Sequence, residues 1–185
     1  MARTVTDATL LTSLSTVDTV LGEHVSEMGH DFVPYRNHVY RVVNLCVAIV
    51  GGRSELEKIA VAAVFHDLGI WTNKTWDYLE PSAALARRYL TGGEHAKWIP
   101  EIERMIIDHH KITPAPATPD GLVESFRRAD WVDVTLGMRR FGVPRPFIKS
   151  VYEIWPSAGF HWRLVQLTLE RFRAHPLTPL PMVRW

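Results

Sequence analysis

The sequence predicts an all-α fold, a single-domain helical bundle of 185 residues. Three observations predict it. Apolar residues recur at spacings of three and four along most of the chain. Breaks rich in Gly and Pro divide those stretches into helix-length pieces. No alternating stretch is long enough to argue for a sheet. With 46% hydrophobic and 22% charged residues, the chain has the balance of one globular domain with a single core.

The elements follow in order. Residues 8–28 place Leu11, Leu14, Val17, Val20 and Leu21 on one stripe, and Gly29 and Pro34 break it in "MGHDFVPY". A second helix is expected over 35–50, with Val39, Val42, Val43 and Cys46 on one face. After "GGRS", Ser54 and Glu57 have the spacing of a capping box. The third helix they open runs through "AVAAVFHDLG" to a stop at Gly69. Pro81 suits the first turn of a fourth helix, "PSAALARRYL", which closes at Gly92 and Gly93. Pro100 opens a fifth, "PEIERMIIDHH". The prolines of "TPAPATPDG" require a loop. A sixth helix is expected from about 121 to 137, and two more over 144–155 and 159–174. "PRPFIK" reads as a helix start, and Arg139 and Arg140 beside Phe141 as a solvated helix end. The tail, 175–185, reads as an irregular strap.

Composition narrows the function classes. A net charge of +1 offers no strong electrostatic case for nucleic acid or an anionic membrane. The single cysteine, Cys46, excludes an intramolecular disulfide, and a cytoplasmic location is the expectation. The N-terminal stretch lacks the apolar run of a signal peptide, and no 18-residue apolar run predicts a membrane span. No phosphate-cradling Gly-rich loop, H-E-x-x-H or G-x-S-x-G occurs.

One stretch stands out chemically. In "AVAAVFHDLGI", His66 and Asp67 end a run that wants burial. A buried carboxylate is costly unless it is paired, hydrogen-bonded or metal-bound. Helix neighbours point about 100° apart, so the two side chains converge only where a helix end permits it. On its own the dipeptide reads as a core His beside a capping Asp. Three other places bear on it. In "YRNHVYRVVNL", His38 shares a face with Arg41 and Val42. In "EIERMIIDHHK", His109 and His110 close a helix whose inner face is Ile102, Met105 and Ile106, and His110 falls on that side. In "ESFRRADWVDV", Asp130 follows Phe126 by one turn among apolar neighbours and needs a partner, with Arg127 or Arg128 as the plain alternative.

The order His38, His66-Asp67, His109-His110, Asp130 resembles the HD superfamily of metal-dependent phosphohydrolases, carried by "NHVYRV", "HDLG" and "RADWVD" over about residues 35–135. The resemblance implies metal ligands at His38, His66, Asp67 and Asp130. It places His109, His110 and Glu80, the last standing where relatives often have a further His, as ligands of a possible second ion. Catalytic roles fall to Asp67 and His110. Relatives often carry a Lys after "HDLG"; here Ile70 takes that place, so Arg41, Lys74 or Lys111 would meet a substrate phosphate. Two imidazoles and two carboxylates suit Mn, Fe, Co, Ni or Zn better than Ca, with Mg also open and one or two ions expected. The implied reaction is hydrolysis of a phosphomonoester or phosphodiester, with nucleotides the expected substrate class. Two other readings stay open: an HD-fold metal enzyme of another kind (a small-molecule hydratase or a di-iron oxygenase), and a non-catalytic helical binding protein. Trp71, Trp76, Trp98 and Trp131 read as core packing, although they would also suit a small apolar pocket. His24, His30, His95, His161 and His175 read as surface or structural.

Overall fold

A computed structural model describes residues 9–115, 121–178 and 180–183. It is all-α, with helices packed around one hydrophobic core and no strand among the described residues. The helices are α1 (Ser15–Glu23), α2 (Val25–Met28), α3 (Phe32–Val50), α4 (Leu56–Phe65), α5 (Gly69–Thr72), α6 (Leu79–Leu90), α7 (Ile99–Asp108), α8 (Leu122–Val134), α9 (Arg145–Ile154) and α10 (Phe160–Ala174). Among the described residues, no helix is long and apolar enough to cross a membrane.

α3 is the centre of the bundle. Its residues from Asn37 to Ala48 are buried on every side, polar ones included. α8 and α4 flank it, α7 packs on α4, α6 and α8, and α1 lies across α4. A helix surrounded in this way carries its side chains into the interior whatever their polarity, so His38, Arg41 and Asn44 are all sealed from solvent.

Several boundaries differ from the sequence expectation, each for a physical reason. Residues 9–14 are an extended strap rather than the start of a helix. The Asn44 side chain binds both backbone groups of Leu11 (2.8 and 3.1 Å), Leu14 N–H donates to the Tyr40 hydroxyl (2.8 Å), and Trp155 Nε1 donates to Leu11 O (3.0 Å). Tertiary hydrogen bonds therefore replace the helical ones there. The break before α3 is made by Gly29 alone, at φ 54°, while Pro34 sits in the first turn of α3, where no N–H partner is needed. The capping box does not form: Glu55 occupies the cap of α4, and no side chain caps it. α8 ends at Val134, short of the expected 137, and the middle of the proline-rich loop, 116–120, lies outside the described residues.

Gly69 does not stop α4. That helix ends at Phe65, and Gly69 instead opens α5. Its role is steric: a Cβ there would stand 2.8 Å from Tyr78 O and 2.9 Å from Ser82 Oγ. The α5 and α6 backbones meet at this point, and Gly69 N–H donates to Ser82 Oγ (3.0 Å). Gly69→Ala is expected to cost about 1–3 kcal/mol, because the nearest obstacle is backbone that cannot rotate away. Denaturant midpoints of the two proteins measure it, and an unchanged midpoint would refute the steric role.

Candidate metal centre

Four helices bring one polar cluster to the inner face of α3. His38 projects from the second turn of α3, and Asp130 lies on the facing side of α8; neither exposes any surface. His66 stands at the C-cap of α4, its N–H still bonded to Ala62 O (3.0 Å). The chain then makes a tight turn, with Leu68 N–H to Phe65 O (3.1 Å) and Ile70 N–H to Asp67 O (3.0 Å). Because that turn departs from the regular helix, neighbouring side chains at 66 and 67 converge. His109 stands at the C-cap of α7 in the same manner.

The tautomers are set by geometry. His66 Nδ1 lies 2.7 Å from Ala63 O, and His109 Nδ1 lies 2.6 Å from Ile106 O. A carbonyl only accepts, so both Nδ1 atoms carry the proton. These carbonyls belong to last helical turns, which lack intrahelical partners. His38 Nδ1 lies 2.6 Å from the Asp133 carboxylate, held well below the usual range despite its burial by Arg41 and His38 beside it, so it too donates. Three imidazoles therefore turn bare Nε2 lone pairs inward.

Those atoms meet. His38 Nε2 and His66 Nε2 are 2.9 Å apart. Asp67 Oδ2 is 3.6 Å from His38 Nε2 and 3.4 Å from His66 Nε2. Asp130 Oδ1 is 3.6 and 3.8 Å from the same two atoms. Metal–ligand bonds of about 2.1 Å separate neighbouring donors by roughly 3.0 Å in an octahedron and 3.4 Å in a tetrahedron. The observed spacings have that scale, whereas two lone pairs 2.9 Å apart with nothing between them repel. On the far side of Asp67, His109 Nε2 lies 3.3 Å from Oδ1, and His110 Nδ1 lies 3.6 Å from Asp130 Oδ2. Asp67 Oδ1, His109 Nε2 and both Asp130 oxygens are buried without a hydrogen-bond partner. A cation would satisfy all four, so the donor set fits a divalent ion. Three overlapping ligand groups share the space: His38–His66–Asp130, His66–Asp67–His109 and His109–His110–Asp130.

The electrostatics agree with that fit. Burial pulls the His66 imidazole down to about 3, which keeps it neutral and ready to ligate. Burial also pulls His110 well down. Burial alone would raise Asp67, but His66 and His109 beside it bring it well below its ordinary value. Burial raises Asp130, and the neighbouring carboxylates of Asp67 and Asp133 add to the rise. His109 moves up because Asp67 and Asp130 outweigh its burial.

The other sequence candidates are placed as follows. Arg41 is fully buried and committed: its Nε and Nη2 bind both oxygens of Asp133 (2.6 and 3.0 Å), and its Nη1 binds Trp155 O and Pro156 O (3.2 and 3.1 Å). It forms a buried structural ion pair with Asp133. Glu80 points to solvent from the first turn of α6 and belongs to none of the ligand groups. Lys74 is exposed beside α5 at a φ of 49°. Lys111 follows His110 directly, and its carbonyl accepts from Arg127 (3.0 Å) and Trp131 Nε1 (3.1 Å). The rival partners for Asp130 are occupied elsewhere: Arg127 and Arg128 both bind Glu124 at 2.7 Å.

Sequence reasoning missed Asp133, Tyr35 and Tyr78. Asp133 was visible one turn after Asp130 on the same helix face. Tyr35 lies one turn before His38; its hydroxyl donates to Val64 O (2.8 Å) and accepts from Asp67 N–H (3.3 Å), which ties the His-Asp turn to α3. The Tyr78 hydroxyl lies 2.8 Å from His110 Nε2. Phe160 stacks on the His38 ring (4.0 Å between centroids), and His161 binds Asp133 O (2.9 Å). Of the four Trp read as core packing, Trp71 is buried and bound to Asp31 (3.0 Å), and Trp76 and Trp98 lie against the core, whereas Trp131 is half-buried outside it, with Arg139 over its ring and its Nε1 donating to Lys111 O.

A scan against family models, a search of curated proteins and a search of solved structures each return no match to this chain, so the side-chain cluster itself carries the functional argument.

Proposed function

We propose that this chain is a metal-dependent phosphohydrolase of the HD type, acting on a phosphomonoester or phosphodiester of the nucleotide class. The observation that supports it is that His38, His66, Asp67 and Asp130, in the chain order of that superfamily, fall into overlapping buried ligand groups whose Asp67 and Asp130 oxygens lack hydrogen-bond partners. His109 and His110 extend the set toward a second ion. When bound, a divalent ion supplies an acidified water and a Lewis acid for a phosphoryl oxygen. The chain does the rest. Asp67, between His66 and His109, orients the attacking water. His110 is the cluster imidazole most open to solvent, with 17% of its side chain accessible. Held neutral by burial and steadied by Tyr78, it takes a proton from that water and returns it to the leaving oxygen. Arg41 is committed to Asp133, so Lys74, exposed beside α5, and Lys111, next to His110, are proposed to offset charge on the transferring group.

That commitment of Arg41, together with Ile70 after the doublet, favours one alternative: the same centre serving a non-phosphate reaction, hydration or iron-dependent oxygenation. One experiment separates them. Protein purified without chelators is assayed for metal content, then loaded with each of Mn, Fe, Co, Ni, Zn and Mg and screened against nucleotides. The expected result is a bound transition metal and release of inorganic phosphate. Metal without phosphate release, with oxygen consumed by the iron form, moves the assignment to the alternative; a protein that binds no ion ends both.

A further inference from the structure

α10 has two apolar faces. One, carrying Phe160, Leu164 and Leu167, packs on the body of the protein. The other is bare: Trp162 is 64% exposed, Val165 46%, Leu169 49% and Phe172 53%. Advancing about 100° per residue, these four fall within an arc of roughly 80°, centred about 150° from the packed face. Their spacings of three, four and three are those of a helix–helix seam. Single exposed apolar residues are ordinary, but a contiguous stripe with two large aromatics is not.

We propose that this stripe is a homodimer interface, in which two copies of α10 pack antiparallel across a two-fold axis. The order of side-chain sizes selects a second copy as the occupant. Read along the helix, the stripe runs large, small, small, large, about a midpoint at position 167. A two-fold axis through that midpoint sets Trp162 against the partner's Phe172, and Val165 against the partner's Leu169, twice over. That is the self-complementarity an isologous contact requires. Charge does not oppose it. Gln166 and Thr168 flank the stripe uncharged, and Arg173 is the one charged side chain at its edge. The area fits a modest dimer. The four side chains expose about 400 Å² in each copy, against roughly 800 Å² per partner in a standard interface. With about half the standard area, the expected self-association is weak, and it is independent of the metal centre.

Light scattering and sedimentation across a concentration series, from micromolar to near-millimolar, test it on the whole chain. A monomer–dimer equilibrium is expected. Trp162→Glu or Phe172→Glu should weaken it at least about 30-fold without changing the far-UV dichroism, since both side chains are exposed. Val165→Glu and Leu169→Lys chains should each be monomeric alone and re-pair when mixed, because those two positions face each other across the axis. A wild-type monomer throughout, or a dimer indifferent to both aromatic substitutions, overturns the interface. Failure of the mixed chains to pair overturns the antiparallel arrangement.

Discussion

His66→Ala and Asp67→Ala are each expected to abolish metal retention, and with it the proposed phosphohydrolase turnover, while leaving helical content nearly intact. The expectation rests on where the two side chains stand. Both follow the last turn of α4, so their removal leaves the helix and its apolar face in place. Asp67 borders His38, His66 and His109 at 3.3–3.6 Å, nearer to His66 than the second carboxylate, Asp130, at 3.8 Å. A stability readout makes the test independent of catalysis. Adding ion at about a hundred times its dissociation constant should stabilise the native protein by about 2.7 kcal/mol, and each variant not at all. Metal analysis, a thermal melt with and without ion, and circular dichroism check the three parts. Full turnover or a full ion-dependent shift in either variant refutes the centre.

Asp133→Asn carries the second large effect, on stability and metal affinity together. Asp133 contacts no ligand atom that faces the centre, yet it accepts from His38 Nδ1 and from both arms of the Arg41 guanidinium, and the Tyr152 hydroxyl adds a fourth bond at 2.7 Å. Arg41 and Asp133 are both fully buried. Removing the charge strands a buried guanidinium, which costs about 3–5 kcal/mol. Losing the acceptor that orients a ligating imidazole lowers metal affinity by about 10–100-fold. Arg41→Met should cost a similar amount of stability by stranding the carboxylate instead. Chemical denaturation of the ion-free proteins and competitive metal titration measure the two effects. A native-like midpoint for Asp133→Asn would show that the network is not the brace its geometry describes.

The ligand candidates were legible because their chemistry conflicts with their surroundings. His66 and Asp67 end an apolar run, and Asp130 sits amid Trp131, Val132 and Val134; a side chain costly to bury is conspicuous in such company. Arg41 misled for the complementary reason. From one strand of sequence a cation near a candidate ligand reads as a substrate contact. Its partner, Asp133, lies 92 positions away and is found only when α8 is laid against α3. Glu80 failed to reach the cluster because helix register decides direction, and the first turn of α6 points it outward. The capping box over 54–57 and the helix over 8–14 failed because local propensity yields to bonds from elsewhere: the Thr16 hydroxyl donates to the Glu57 carboxylate, and Asn44, Tyr40 and Trp155 hold the strap extended.

By itself, then, the chain's periodicity determined an all-α bundle, and its misplaced polar residues determined which side chains are candidates for chemistry. The tertiary structure decided the rest: that His38 is wholly interior, that three Nε2 lone pairs face inward, and that Arg41 belongs to Asp133. The reason is physical. Apolar spacing along a helix is a local property, written in a few consecutive turns. The direction of an imidazole lone pair depends on which carbonyl or carboxylate, near or far in the chain, takes the opposite proton, and only the assembled bundle supplies it.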